Sequence, residues 1–269
     1  MKKTPLAWLL VAAALVTTAC AAPPAATPAG PGTTPAGTSV AHLTGYWLLT
    51  DLGGSAPVAG SSVTANFSTD GVISGSAGCN RYSGTFTTTG SAIKIGEQLA
   101  STMMMCTDPA VMTQETAFLK ALGSARAFVM NGTELKLNDE SGKTLTTFAA
   151  ESQKLADTSW KVTNYNNGKQ AVVNVLADTA PTVTFGADGS VSGSSGCNSF
   201  NGSAVEGAGT VKIGPLASTR KLCPTPEGVM EQEAALLAAL ESGATFTIEG
   251  NKLEIRTADK TIAVQLTKA

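Results

Sequence analysis

Histidine occurs once in this sequence, at His42, and that scarcity removes whole classes of chemistry. One imidazole at the end of a Pro-rich stretch supports neither a His-based triad nor a multi-His zinc site. The cysteines never fall in the CxxC spacing of a redox active site. Charged residues are only 14% of the chain and form no basic stripe, so nucleic acid and electrostatic membrane docking are not expected partners. Aromatics are 5%, so any core must rest on Val, Ile, Leu, Met and a few Phe and Trp. Beyond the N-terminus no apolar run approaches the length needed to cross a bilayer.

The start of the chain has the composition of a targeting segment. Lys2 and Lys3 precede an apolar run, Leu6–Val16, which ends in small residues and Cys20. Eleven apolar residues are too few for a spanning helix and read as a cleaved export signal over 1–19. Cys20 after Ala19 is similar to the lipobox of bacterial lipoproteins, although Thr17 stands where Leu is usual. Acylation there would anchor the protein, since each buried CH2 contributes about 0.8 kcal/mol. Residues 20–43 hold five prolines and almost no bulky apolar side chain, and are expected to form a solvated tether reaching up to ~60 Å. Without residues 1–19, 16 basic side chains face 20 acidic ones, a net −4.

From residue 44 onward the chain is one unit written twice. "NFSTDGVISGSAGCNRYSG" (66–84) matches "TFGADGSVSGSSGCNSFNG" (184–202) at an offset of 118. "LASTMMMC" (99–106) matches "LASTRKLC" (216–223), and "VMTQETAFLKAL" (111–122) matches "VMEQEAALLAAL" (229–240). The expected domains are 44–150 and 155–269, a tandem duplication rather than a solenoid. Each copy reads as short strands: 63–67, 72–75, 82–86, 92–95, 126–130, 134–138 and 144–148 in the first; 182–186, 190–193, 210–214, 244–248, 252–256 and 261–266 in the second. Asp70-Gly71 and Asp188-Gly189 mark hairpins, because Gly adopts positive φ freely. One amphipathic helix per copy is predicted, starting at Asp108-Pro109 and at Thr225-Pro226 by the cap-then-Pro order. The fold class is therefore α+β and β-rich: two small modules, each a curved antiparallel sheet or partly open barrel with one packed helix.

Several residues invite a chemical reading. Asn80 and Asn198, each directly after a Cys in a Gly-flanked stretch, are expected to shape a turn by bonding their own backbone and tolerating a left-handed conformation. Met103, Met104 and Met105 suggest a soft-metal site such as Cu(I). The second copy has Arg220, Lys221 and Leu222 there, and core packing of a strand is the favoured expectation. Trp47 and Trp160 occupy equivalent positions and read as core anchors. Glu115 and Glu233 fall on the helices, where a solvated face is expected. No catalytic or metal-binding residue and no cofactor is assigned.

Gly78, Cys79, Asn80 and Gly84, then Leu99–Thr102 with Ser101, then Cys106 and Glu115 together resemble the META domain, the HslJ-like family of bacterial envelope proteins. Gly196, Cys197, Asn198, Gly202, Leu216–Arg220 with Ser218 and Thr219, Cys223 and Glu233 repeat the pattern in the same order. The resemblance implies a compact β-rich module with one helix, often lipid-anchored and linked to heat or drug tolerance, with no settled activity. An oxidising compartment would leave four thiols once Cys20 is acylated. The repeat favours Cys79–Cys106 and Cys197–Cys223, each loop stabilising its module by roughly 3–4 kcal/mol. The expected function is a non-enzymatic binding protein of the cell envelope, held at the membrane by its lipid, with an envelope protein or small molecule as partner. The alternatives are an envelope hydrolase using Ser101 or Ser218 with Glu115 or Glu233, or a chaperone-like partner of another secreted protein.

Overall fold

The computed structural model describes residues 43–269; the export signal, Cys20, the Pro-rich stretch and His42 lie outside the described residues. In the first module six strands, β1 (Gly45–Leu52), β2 (Thr64–Phe67), β3 (Val72–Ser76), β4 (Arg81–Thr89), β5 (Ala92–Ile95) and β6 (Ala100–Ser101), precede helix α1 (Pro109–Ser124). Three more come after it, β7 (Ala127–Asn131), β8 (Glu134–Asn138) and β9 (Thr144–Ala150). Neighbours run antiparallel, β9 lies beside β1, and β3 pairs with β4, so every strand except β6 joins a ring. The ring is not a continuous barrel, because β5 and β7 meet through one residue pair, Ala92 opposite Ala127.

The second module repeats this plan. Its strands are β10 (Thr158–Asn166), β11 (Val172–Asn174), β12 (Thr182–Phe185), β13 (Ser190–Ser194), β14 (Ser199–Gly207), β15 (Thr210–Ile213) and β16 (Ala217–Ser218). Helix α2 (Val229–Glu241) then leads to β17 (Thr245–Glu249), β18 (Lys252–Arg256) and β19 (Ile262–Lys268). The weak joint is again a single pair, Thr210 opposite Thr245. Even the bulge in the first strand recurs. Thr50 and Thr163 sit at the register shifts of β1 and β10, and their hydroxyls bond across to the Thr147 and Gln265 carbonyls at 3.1 and 3.0 Å.

Alternation in the sequence explains which face each strand buries. β8 turns Leu135 and Leu137 inward, and β18 turns Leu253 and Ile255 inward, while their charged neighbours face out. Trp47 and Trp160 are buried at the cores, as expected; their indole N–H groups donate to the Leu43 carbonyl at 2.9 Å and to Thr158 Oγ1 at 2.7 Å. From α1, Phe118 stacks edge-on against Tyr82 and Phe148, with Leu122 buried beside them. Each such large side chain contributes roughly 1.5–3 kcal/mol by leaving water.

Helix α1 starts as its sequence predicts: Asp108 caps it by accepting from the Ala110 N–H at 2.8 Å, and Pro109 fills the first turn. Helix α2 does not. It begins at Val229 after Gly228, whose φ of +86° no capping side chain supports, and Thr225-Pro226 lies in the preceding turn. The expectation for Met103–Met105 is also overturned. No strand covers them, and Met103 and Met105 are 96% and 91% exposed, because β6 ends at Ser101 and nothing packs over the segment beyond.

Candidate functional site

The repeated Cys-Asn corner joins β3 to β4 and β13 to β14. The corner closes through the Ala77 N–H donating to the Asn80 carbonyl at 2.8 Å, and its twin through Ser195 and Asn198 at 2.9 Å. The left-handed residues are the glycines, Gly78 at φ +115° and Gly196 at +127°, not the asparagines. Side chains at these glycines would press on the helices: an added Cβ would lie 3.1 Å from Gln114 Nε2 and 2.9 Å from Gln232 Nε2. So the glycine lets a helix glutamine close over the corner, which explains why Gly stands before each Cys.

Freed from the turn, the asparagine side chains tie together three segments that are distant in sequence. Asn80 Oδ1 accepts from Thr102 Oγ1 at 2.8 Å and from the Met104 N–H at 2.7 Å. Its Nδ2 donates to the Met104 carbonyl at 3.1 Å and to Glu115 Oε1 at 2.9 Å. The amide's hydrogen-bonding capacity is thereby filled within a site only 3% exposed. Asn198 does the same with Thr219 Oγ1, the Lys221 N–H and carbonyl, and Glu233 Oε2, at 2.7 to 2.9 Å. The disulfides Cys79–Cys106 and Cys197–Cys223 bridge the same two segments covalently, with Cα atoms 6.2 and 6.3 Å apart. Family motif and staple are one knot.

The helix carboxylates correct the expectation of a solvated face. Glu115 Oε2 accepts from the Asn80 N–H at 2.8 Å, and Glu233 accepts from the Cys197 and Asn198 N–H groups and from Ser195 Oγ. Ser195 replaces Ala77 of the first copy, so the second knot has an extra buried donor. Burial pushes the Glu233 carboxyl up, but bonds from the Asn198 side chain and backbone, Ser195 and Cys197 outweigh it and hold the group below its ordinary value. Sequence reasoning also missed Gln114 and Gln232. Both are buried and reach across to the first loop of their module: Gln114 to the Val58 N–H and Ser61 Oγ, Gln232 to the Leu176 N–H and Thr179 Oγ1. The doublet Gln-Glu at 114–115 and 232–233, repeated at the same offset as the Cys-Asn corner, was the available signal.

Ser101 and Ser218 are exposed on β6 and β16, and Ser101 Oγ bonds only to the neighbouring Thr102 carbonyl at 3.0 Å. Neither serine shares a hydrogen bond with Glu115 or Glu233, and none of these four residues lines the cavity beside Leu155, Phe185 and Glu206 or the one beside Glu151 and Trp160. Arg220 is exposed on the loop beyond Thr219, outside the knot. Among the described residues no cluster of His, Cys, Asp and Glu could hold a metal.

A second polar group lies at the junction of the modules. The β17–β18 hairpin of the second module meets the first through Arg81, which forks onto both oxygens of Glu249 at 2.6 and 2.9 Å, and through Ser62, which donates to Asn251 at 3.1 Å. The connecting residues bind the same hairpin. Gln153 exchanges two bonds with the Ile248 backbone at 2.7 and 2.9 Å, and Glu151 accepts from the Gly250 N–H. Glu151 borders a cavity of about 350 Å3 lined also by Leu48, Trp160, Ile248, Lys154 and Lys268, and its Oε2 is buried with no protein partner. Burial pushes its carboxyl up to about 7, with Glu249 adding to the rise and Gly250 and Lys268 opposing it.

No curated protein matches the chain. Among solved structures it is similar to an NMR structure of a protein from Burkholderia xenovorans, 23% identical, covering 43% of this chain and 83% of that one with a TM-score of 0.37. A DUF4847 family protein from Bacteroides vulgatus is 19% identical, covering 42% and 93% with a TM-score of 0.30. The META domain family model matches residues 41–152 and again 153–269, and each match contains one complete knot of corner, loop and helix carboxylate. The chain therefore belongs to the META domain family and carries two copies of that domain in tandem.

Proposed function

We propose that this protein is exported, lipid-anchored at Cys20, and acts in the cell envelope as a non-enzymatic binding scaffold that supports heat or drug tolerance. One observation supports the non-enzymatic part most directly. The polar residues shared by the two copies, Asn80, Thr102 and Glu115 with Asn198, Thr219 and Glu233, bond to one another, and the cysteines beside them are disulfide-bonded. A nucleophile or general base must reach a substrate. These groups instead hold a loop in place, and the loops they hold are exposed and differ between the copies: Met103–Met105 against Arg220–Leu222. A constant frame presenting variable loops is the arrangement of a binding module.

The test has two parts. Cells fed a palmitate analogue should label the wild-type protein and not Cys20→Ala, and the labelled protein should be reached by protease added to intact cells or spheroplasts. Crosslinking in intact cells should then recover a dominant partner whose yield falls when Met103–Met105 or Arg220–Leu222 are replaced by Ser. Absence of lipid label, or a catalytic turnover lost on Glu115→Gln with the fold retained, would overturn the reading.

A further inference from the structure

The methionine segment is an exposed apolar stretch that the fold goes to some length to fix. Met104 is clamped at both its N–H and its carbonyl by Asn80, and Cys106 is tied to Cys79. The Thr102 N–H donates to the Arg81 carbonyl at 3.0 Å, so residues 102 and 104 both turn their amides toward the corner. Two alternate amides bonded on one side are the signature of an extended backbone. Exposure shows the same alternation: Met103 96%, Met104 57%, Met105 91%. Side chains of residues two apart in an extended segment share a face, about 6.6 Å apart along the chain. Each methionine has three rotatable bonds, so the thioethers of Met103 and Met105 can meet on one ion.

We propose that Met103 and Met105 form a two-thioether site for a soft monovalent cation, Cu(I), on the loop held by the first knot. Thioether sulfur prefers Cu(I) over Zn(II), Mg(II) or Ca(II), which favour harder or anionic ligands. The disulfide removes Cys106 from the ligand set, and the neutral thioethers need no proton to leave, so binding is insensitive to pH near neutrality. The second module supplies an internal control. Its loop has the same clamp, with Lys221 bonded to Asn198 as Met104 is to Asn80, but carries Arg220 and Leu222 in place of the two thioethers. Arg220 and Lys221 would repel a cation, so the site belongs to the first module alone.

The experiment uses the full chain with Cys20→Ala, which leaves no free thiol among its cysteines once both disulfides have formed. Anaerobic titration with Cu(I), competed against a chromophoric Cu(I) chelator, should show one equivalent withdrawn per chain. Met103→Leu/Met105→Leu should abolish it with both disulfides and the melting temperature unchanged, whereas Met104→Leu should retain it. Replacing Arg220, Lys221 and Leu222 together by Met should create a second equivalent. No copper withdrawn by the parent chain, retention of binding in the double variant, or equal loss in Met104→Leu would overturn the site. A folded graft that binds no second equivalent would overturn the claim that the clamp supplies the geometry.

Discussion

Replacing Asn198 by Ala and by Asp separates what the knot contributes through hydrogen bonds from what it contributes through charge. Alanine removes an amide that makes four bonds, to Thr219, to both Lys221 backbone groups and to Glu233. At roughly 1 kcal/mol net for a neutral bond and 1.5–3 for one to a carboxylate, with the exposed Lys221 side of the loop rehydrating in part, the loss is about 3–4 kcal/mol. That is a large share of a domain's 5–15 kcal/mol and corresponds to a fall in melting temperature of about 10–15 °C. Aspartate keeps the Oδ1 acceptor but places a second carboxylate against Glu233, whose Oε2 lies 2.7 Å from Nδ2 in the wild type. Both positions are at most 5% exposed, so the pair cannot remain doubly ionised and must take up a proton at neutral pH. We expect Asn198→Asp to be less stable than Asn198→Ala by about 2 kcal/mol at pH 7.5, since each unit of forced pKa rise costs about 1.4 kcal/mol. As pH falls the proton is supplied freely and a carboxyl–carboxylate bond can form, so the deficit against alanine should vanish by about pH 4.5. Scanning calorimetry of the intact chain at both pH values, with disulfides verified by mass, reads this directly. Equal melting of the two variants at neutral pH, or a deficit of Asp that is unchanged by acid, would refute the account of Glu233 as an ionised, donor-saturated group.

The same geometry sets other outcomes. Glu151 is raised from 4.5 to about 7, so the closed junction holds more protons than the open one between those values, and its stability should fall as pH rises through that window. Hydrogen exchange at the Gly250 and Ile248 N–H groups should accordingly be slower at pH 5 than at pH 7.5 after correction for intrinsic rates, and Glu151→Gln should remove the difference. Replacing Cys79 and Cys106 by Ser should cost the first module about 3–4 kcal/mol by chemical denaturation, with the second module's transition unmoved. Gly193→Ala should prevent folding of the second module, because the new Cβ would lie 1.9 Å from the Thr182 carbonyl oxygen. Gly90→Ala, at φ +59° in open space, should cost only about 1 kcal/mol, and circular dichroism melts distinguish the two.

The strands and the first helix were legible because their signals are local. "ELKLN" and "KLEIR" alternate strictly and form β8 and β18 at the predicted residues, and Asp108-Pro109 both caps and starts α1. Thr225-Pro226 carries the same local signal but lies in a turn, since the second module's chain enters its helix at Gly228 instead. The knot was legible only as a repeated motif. That Asn80 would bond Met104 and Glu115 rather than its own turn depends on a helix and a loop brought together by the fold, and no spacing in the sequence states it. The methionines misled for a related reason: three apolar side chains in a row read as part of a core strand, but no neighbouring element arrives to cover them.

The contact between the modules cannot be repeated at the outer ends of the pair. Where the first module offers Arg81 and Ser62, the equivalent positions of the second hold Ser199 and Ala180, and where the second offers Glu249 and Asn251 the first holds Asn131 and Thr133. A head-to-tail contact that could recur would let chains add without end into fibres. Divergence of the duplicated surfaces makes this join self-terminating: further copies find no matching charge at either exposed end.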